Sequence, residues 1–465
     1  MKSLKFGTDG WRAEIAADFT FENLGLVTQA LVEHLLEQDT AKKGIAVGYD
    51  NRFQSESFAK LAAEICSGAG IKTYLSDKSV PSQVTSFTVK NRDLAAGIMI
   101  TASHNPPQWN GFKIKENFGG SAFPTTTKAV EAKIKDTLHI KPSTLKVSPS
   151  DFQADYLNKI KALINLDLIN NPKIKAVVDP MYGSGAGYFR ALGVNVVETR
   201  GYRNPLFGGI NPEPLPVNLE DSFSFVKEIA LKYSSELTAC IVLDGDADRL
   251  AAIDGSGQFI NTHNIFTLLL HHLIVHRKLK GNIVKTFNLT NLIDKLCQEY
   301  SCKLHVTPIG FKHVADLMLK EKILLGGEES GGMGIGLEGW IPERDGILAG
   351  LMLLELMAYE KMTLAQILDG IMKKHGYFYY DRADIHTTKA QDIVRRLKQV
   401  PPETFANKKV TKVETLDGLK LSFDNESWIL FRASGTEPLL RVYVEGRTDA
   451  EVKQILGAGE NLINQ

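Results

Sequence analysis

Cysteine is scarce: four residues among 465, at positions 66, 240, 297 and 302, with no Cys-x-x-Cys pair and no zinc-like spacing. That excludes a disulfide framework or a cysteine-built metal centre and leaves Cys66, Cys240, Cys297 and Cys302 as buried or idle thiols of a reducing compartment. Net charge is missing too. The 54 Lys plus Arg balance 54 Asp plus Glu, which argues against a broad nucleic-acid face but leaves room for a local basic pocket. The opening residues, Met1-Lys2-Ser3-Leu4-Lys5-Phe6-Gly7, lack the apolar core of a signal peptide. The most apolar run, residues 347–358, is short and contains Glu355, so it reads as a buried helix and not a membrane span. A soluble, cytoplasmic protein without nucleic-acid or membrane partners is expected. Familiar catalytic loops are absent as well: there is no Walker A sequence and no Gly-x-Ser-x-Gly elbow. Gly183-Ser184-Gly185-Ala186-Gly187 misses the third glycine of the dinucleotide fingerprint, so it reads as a tight strand-to-helix turn.

What is present suits a folded protein of several domains. The chain is 43% apolar and 23% charged, an ordinary balance, and a prior of roughly 150 residues per domain suggests about three. Helical spacing over residues 21–37 and 55–69 alternates with short buried strands at 44–50 and 94–100, which implies a mostly parallel sheet covered on both faces. The pattern restarts twice. Strands are expected at 174–179 and 239–243, then a helix over 262–275 with strands at 281–286 and 322–325. From about His375 the composition changes, with a helix near 390–398 and short strands around Val410, Leu419 and 428–431. This tail reads as a small α+β domain with its boundary near Lys373.

Four loops carry the chemistry. Asp244-Gly245-Asp246-Ala247-Asp248-Arg249 follows an apolar strand and alternates three carboxylates, which can converge on one hard cation. It is not an EF-hand, because Arg249 stands where that loop needs Gly and Gly255 where it needs Glu. Magnesium commonly binds through a few carboxylates plus phosphate oxygens, so this loop calls for a phosphate partner. Thr101-Ala102-Ser103-His104-Asn105-Pro106-Pro107 offers a hydroxyl, although the residues alone fit a capped turn equally well. Asn110-Gly111-Phe112-Lys113 adds a cation ten residues on. Gly326-Gly327-Glu328-Glu329-Ser330-Gly331-Gly332 allows close backbone approach and supplies hydrogen-bonding groups for sugar hydroxyls, a flexible acidic turn being the plainer reading. Arg432-Ala433-Ser434-Gly435-Thr436-Glu437-Pro438, with Arg441 beyond, has the make-up of a phosphate cradle.

Together these loops resemble the α-D-phosphohexomutase family, in its order and over nearly the whole chain. Gly7-Thr8-Asp9-Gly10-Trp11-Arg12 and Gly310-Phe311-Lys312-His313 are also similar to family signatures. The resemblance implies an α/β chain of three related αβ domains with mixed sheets (1–150, 151–256, 257–373) and a smaller C-terminal α+β domain (374–465) around a central cleft. It implies that Ser103 carries a phosphoryl group and joins Asp244, Asp246 and Asp248 around Mg²⁺. Arg12, Lys113 and Arg249 would line the reacting phosphate, with Lys113 the candidate general acid/base. Glu328 and Ser330, with Lys312 and His313, would contact the sugar, while Arg432, Ser434, Gly435, Thr436 and Arg441 would hold the second phosphate. The implied substrate is a phosphosugar, with a 1,6-bisphosphate (glucose 1,6-bisphosphate) as intermediate and activator, in a monomer or dimer. Some members, including glucosamine and dual-specificity mannose/glucose types, carry His two residues beyond the loop's Ser, where this chain has Gly332, so a contact built on that His does not carry over. Glu328-Glu329-Ser330 is more similar to the phosphoglucomutase variant, which tilts the expectation toward glucose phosphate over mannose or glucosamine phosphate. A metal-dependent sugar phosphatase and a silent sugar-phosphate binder are the rivals from other classes.

Overall fold

A computed structural model describes residues 4–7, 9–233, 237–434 and 438–463. Its first sheet contains β1 (Trp11–Glu14), β2 (Ile45–Tyr49), β3 (Thr73–Ser76), β4 (Ala96–Ile100), β5 (Trp109–Glu116), β6 (Gly120–Ser121) and β7 (Val147–Ser150), in the order β1-β5-β4-β2-β3-β7 with β6 paired to β5. The second holds β8 (Ile174–Asp179), β9 (Val196–Glu198), β10 (Leu237–Leu243), β11 (Leu250–Asp254) and β12 (Phe259–Ile260), ordered β12-β11-β10-β8-β9. The third holds β13 (Asn282–Thr286), β14 (Leu304–Thr307), β15 (Ile323–Gly327) and β16 (Met333–Ile335), ordered β14-β13-β15-β16.

One topology repeats in all three. A first strand pairs in parallel with a second on one side and a third on the other: β2 with β3 and β4, β8 with β9 and β10, β13 with β14 and β15. The third strand then turns back into an antiparallel partner, β5, β11 or β16. The sheets are therefore mixed, where the helix–strand alternation alone suggested mostly parallel ones. The difference lies in the returning strands β5, β11 and β16, which the expected elements did not include; β5 pairs antiparallel with both β4 and β1.

The sequence explains the elements locally. Thr20 caps the helix Phe21–Glu37 by accepting the Asn23 N–H, and its apolar positions Leu24, Val27 and Leu31 pack with Ile45, Val47 and Ile98 of the sheet. The helix Gly346–Glu360 is buried on nearly every side, as its uniformly apolar sequence demands, and Asp345 caps it through the Leu348 N–H at 2.9 Å. The turn after Thr262–His271 is a π-helix, His272–His276. Among the described residues no helix is long and apolar enough to cross a membrane. All four cysteines are free, and Cys302 alone is not buried.

The first three units share a core running from Ala46 and Phe87 through Tyr156 and Ile241 to Trp340 and Leu356. Their relative orientation is thus set by packing and not by linkers alone. The tail forms a fourth, antiparallel sheet with a core of its own: β17 (Tyr379–His386), β18 (Thr404–Phe405), β19 (Lys408–Glu414), β20 (Leu419–Phe423), β21 (Trp428–Ala433) and β22 (Leu439–Gly446), ordered β17-β22-β21-β20-β19-β18. Four sheets, one more than the length prior gave, are what the chain builds. A small cluster of Phe287, Trp428, Leu430 and Tyr443 joins the third unit to the fourth.

Candidate active site

The repeated topology places the chemistry. Residues 101–107 connect β4 to β5, residues 244–249 connect β10 to β11, and residues 328–332 connect β15 to β16. Each loop leaves the carboxyl end of the equivalent parallel strand, where ligands of such sheets bind. Each also contains a left-handed residue, Ser103 at φ 53°, Ala247 at φ 58° and Gly331 at φ 102°. For Ser103 and Ala247 that conformation is uncommon and costs energy, so the surrounding contacts must hold it.

Those contacts are present. Arg52, fully buried, donates to the carbonyls of Ser103 and Asn105 at 2.6 Å, Pro106 at 2.9 Å and Trp109 at 3.0 Å. Asp50 accepts from the Thr101 hydroxyl at 2.6 Å, and that same Thr101 oxygen accepts the Ser103 N–H at 2.9 Å. A side chain at Gly245 would meet the Ser103 carbonyl at 2.5 Å, so the serine and aspartate loops touch through a glycine. The result brings together residues 141 positions apart: Ser103 Oγ donates to Asp244 Oδ2 at 2.9 Å, both side chains buried.

The carboxylates of Asp244, Asp246 and Asp248 lie within 4.8 Å of one another and are all buried. Burial, then its two neighbours, pushes the Asp244 carboxyl well above the ordinary range. Burial pushes Asp246 upward too, but Lys113 and Ser82 outweigh it and hold that carboxyl below its usual value. Asp246 Oδ1 and Asp248 Oδ1 are buried without a hydrogen-bond partner. Leaving such an oxygen unpaired in a dry pocket costs about 1–3 kcal/mol, more when the group is charged, and a cation relieves that cost. Oxygen donors alone, aimed at one point, suit a hard ion such as Mg²⁺ better than a nitrogen- or sulfur-seeking one.

Cations from three units surround this point. Lys113 Nζ, on β5, lies 2.9 Å from Asp9, 2.9 Å from Asp246 and 3.5 Å from Asp248. Burial lowers the Lys113 pKa, but Asp246, Asp9 and Asp248 more than reverse that and hold it protonated. Arg12, on β1, donates to Asn105 Oδ1 at 2.6 Å. Arg249 gives its backbone N–H to Asp244 Oδ1 at 3.1 Å and sets its Nε 3.8 Å from Asp248 Oδ1. Arg344 spans Asp9 at 2.7 Å, Asp248 at 2.8 Å and Glu328 at 3.2 Å, linking all three units.

The remaining expected residues lie on the third unit and on the fourth sheet. Glu328 is buried and engaged by Arg344, whereas the Ser330 hydroxyl is buried without a partner. Lys312 and His313 lie in the first turn of the helix Phe311–Lys320 and are partly buried. On the fourth sheet Arg432 and Arg441 are register partners across β21 and β22. Arg432 is held by Asp417 at 3.0 Å, and Arg441 sits 3.9 Å from Asp384. Ser434 gives its N–H to the Leu439 carbonyl at 2.8 Å; Gly435 and Thr436 lie outside the described residues. Register partners across an antiparallel pair put both side chains on one face of the sheet, so two guanidinium donors are available there to one anion.

Family models for the phosphoglucomutase/phosphomannomutase proteins match in four consecutive pieces. Alpha/beta/alpha domain I matches residues 3–140, domain II 154–257, domain III 261–375 and the C-terminal domain 388–458. The phosphoglucosamine mutase of Methanocaldococcus jannaschii is 30% identical over 441 residues, 91% of this chain and 92% of that protein. The chain belongs to the phosphoglucomutase/phosphomannomutase family. It is therefore a phosphohexomutase, an isomerase that transfers a phosphoryl group within its substrate. A phosphoglucomutase/phosphomannomutase of Thermococcus kodakarensis is 27% identical over 470 residues, 99% of this chain and 98% of that one. A crystal structure from Thermus thermophilus, described as a candidate phosphomannomutase, superposes with a TM-score of 0.87 at 33% identity, over 100% of this chain and 99% of that one.

Sequence reasoning about this phosphohexomutase passed over Arg52, Ser82 and Arg344. The clearest missed signal is Glu343-Arg344-Asp345, three charges set directly before the most apolar helix of the chain. All three are buried, and charges placed at such a boundary need partners. Arg344 also accounts for Gly332: a Cβ there would lie 2.2 Å from Arg344 Cδ and 2.8 Å from Cγ. The space a histidine would enter is filled by the arginine's stem.

Proposed function

We propose that this phosphohexomutase interconverts glucose 1-phosphate and glucose 6-phosphate, with Ser103 as the phosphoryl carrier and a 1,6-bisphosphate as intermediate. The observation that carries the reading is the 2.9 Å contact of Ser103 Oγ with Asp244, beside two orphaned aspartate oxygens. In this reading the four units run over 1–150, 151–256, 257–373 and 374–465.

Asp244, Asp246, Asp248 and Ser103 would hold Mg²⁺, which when bound neutralises charge on the phosphoryl oxygens. Phosphoryl transfer asks the protein mainly for position and positive charge. Arg12, Lys113 and Arg249 supply both at the reacting phosphate. Transfer from phosphoserine to a sugar hydroxyl removes a proton from that hydroxyl and returns one to Ser103 Oγ. Lys113, held protonated by three carboxylates, suits the exchange at the sugar oxygen: it donates a proton to that oxygen when the phosphoryl group returns to Ser103 and recovers it in the forward step. On the serine side His104, whose Nδ1 is 3.4 Å from Ser103 Oγ and whose ring is kept neutral by burial and by Arg249 and Arg12, takes the proton of that hydroxyl when a phosphoryl group returns to Ser103, and gives it back in the forward step. Arg432, Ser434, Gly435, Thr436 and Arg441 bind the phosphate that is not reacting, with the two register-paired arginines offering planar donors on one face of the sheet. Ser330, Glu328, Lys312 and His313 contact the sugar between the two phosphates. The bisphosphate then turns end for end and returns a phosphoryl group to Ser103, while the closed fourth unit keeps water from the phosphoserine.

Gly332, packed under Arg344, supports glucose as the sugar. Glucosamine phosphate is the second reading, supported by the naming of the 30% identical Methanocaldococcus jannaschii relative as a phosphoglucosamine mutase. Assay of glucose, mannose and glucosamine 1-phosphates with trace 1,6-bisphosphate separates them. The highest kcat/KM is expected for glucose, and a higher value for glucosamine replaces that choice. Net phosphate release as fast as isomerisation would instead mark a phosphatase.

A further inference from the structure

Two groups of metal-type side chains occur among the described residues, and the second lies outside the cleft. His271, His276 and Glu360 present ligand atoms within 4.8 Å of one another. His271 ends the helix Thr262–His271, and His276 ends the π turn that follows it. In an α-helix residues five apart point about 140° apart at 3.6 residues per turn. The wider π turn removes most of that offset and sets the two rings 5.6 Å apart; such turns are frequent at functional sites.

Glu360 closes the neighbouring helix Gly346–Glu360, and its Oε1 lies 2.7 Å from His276 Nε2 and 3.2 Å from His271 Nε2. A simple ion pair needs one imidazole. Here two Nε2 atoms converge on a single carboxylate oxygen. The other nitrogen of His271, Nδ1, lies 2.8 Å from the Tyr300 hydroxyl, the outer partner that typically fixes a ligating histidine's ring and tautomer. His276 stacks on Tyr359 at 5.1 Å and 19°. The three side chains are 16%, 16% and 27% exposed. A cavity of ≈ 240 Å³, lined also by Glu299, Gln366 and His375, opens beside His271 and Glu360.

We propose that His271 Nε2, His276 Nε2 and Glu360 form a second divalent-metal site that takes an ion of the Zn²⁺ class, with its fourth position open to water. Two imidazoles and one carboxylate are a zinc-type ligand set with an open position, and nitrogen donors select against Mg²⁺, which prefers all-oxygen ligands. The ion clips two helices. The helix Gly346–Glu360 has 15 residues, so at 1.5 Å per residue it separates the site by roughly 20 Å from the aspartate loop. At its near end the Gly346 N–H binds the Ala247 carbonyl at 3.2 Å. The ion would hold the far end of a helix whose near end packs against the aspartate loop.

The test titrates Zn²⁺ and Co²⁺ into the full-length enzyme under excess Mg²⁺, which occupies the aspartate site. One equivalent is expected to bind, with the visible absorption of nitrogen-ligated Co²⁺ and a rise in Tm. His276→Gln should lower Zn²⁺ affinity at least about tenfold, and Tyr300→Phe by about tenfold through the outer partner alone. Both variants should keep Mg²⁺-dependent mutase turnover, and Tyr300→Phe, which deletes a single hydroxyl, guards against a folding defect in His276→Gln. Equal Zn²⁺ stoichiometry and affinity in wild type and both variants, or no Co²⁺ binding under excess Mg²⁺, overturns the site.

Discussion

The two ends of the cleft are built on opposite principles. At the Ser103 end, charges are buried and locked by partners from three units: Arg344 alone touches Asp9, Asp248 and Glu328. At the fourth-sheet end, Arg432, Arg441 and Arg382 are partly exposed and leaned against Asp417, Asp384 and Glu329. Glu329 belongs to the third unit's 328–332 loop and also accepts from the Tyr380 hydroxyl at 2.9 Å, so this contact joins that loop to the fourth sheet. Phosphoryl transfer needs fixed geometry, which buried networks give. The proposed turning of a bisphosphate would need contacts that exchange, which solvent-screened ion pairs allow at little cost.

Variants can break or sharpen that contrast. Ser103→Ala should lower kcat by at least about 10³-fold while leaving sugar-phosphate affinity, measured calorimetrically, nearly unchanged; near-normal turnover removes Ser103 from its role. Arg344→Met should leave Asp9, Asp248 and Glu328 short of a buried partner and destabilise the fold by about 3–5 kcal/mol, read by denaturant unfolding. A loss as small as a surface ion pair's would show that this end is less locked than its contacts imply. Arg432→Ala or Arg441→Ala should raise KM by about 10–100-fold, the worth of one charged hydrogen bond to phosphate, with a smaller effect on kcat. A kcat loss equal to that of Ser103→Ala would erase the distinction between the ends.

The smallest effect concerns pH. Burial raises the Asp345 carboxyl to about 7 despite donors from Leu348, Tyr156 and Gln83. A carboxyl raised on folding contributes stability that is full below its unfolded value of 3.8 and lost as pH rises through about 7. Asparagine caps a helix about as well as aspartate. Asp345→Asn should therefore gain stability relative to wild type from pH 4 to pH 8, seen as a growing Tm difference; a pH-independent difference contradicts it.

Much of this was legible in the letters. Apolar runs bounded by polar loops marked Ile174–Asp179 and Phe21–Glu37 at their observed limits, because buried strands and capped helices carry strong local patterns. Loop spacing also singled out Ser103 and the three aspartates as candidates. Strand β5 was hidden because Trp109–Glu116 mixes polar and apolar residues whose burial comes from pairing with β1 and β4, a tertiary fact. Arg52 and Arg344 were hidden for a related reason: the Ser103 carbonyl that Arg52 binds lies 51 positions away and the Asp9 that Arg344 binds lies 335 positions away, beyond the reach of spacing. The fourth sheet's β17 was masked because Tyr379-Tyr380-Asp381-Arg382-Ala383-Asp384-Ile385-His386 lacks a clean apolar alternation and lies at a partly exposed edge.

The central claim is that Ser103 carries the phosphoryl group. Its most direct test is intact-mass analysis with peptide mapping after incubation with Mg²⁺ and glucose 1,6-bisphosphate. A single phosphate on the peptide containing Ser103, removed by excess glucose 1-phosphate, is the expected result. Full mutase activity in protein that carries its phosphate elsewhere, or none at any stage of turnover, would contradict it.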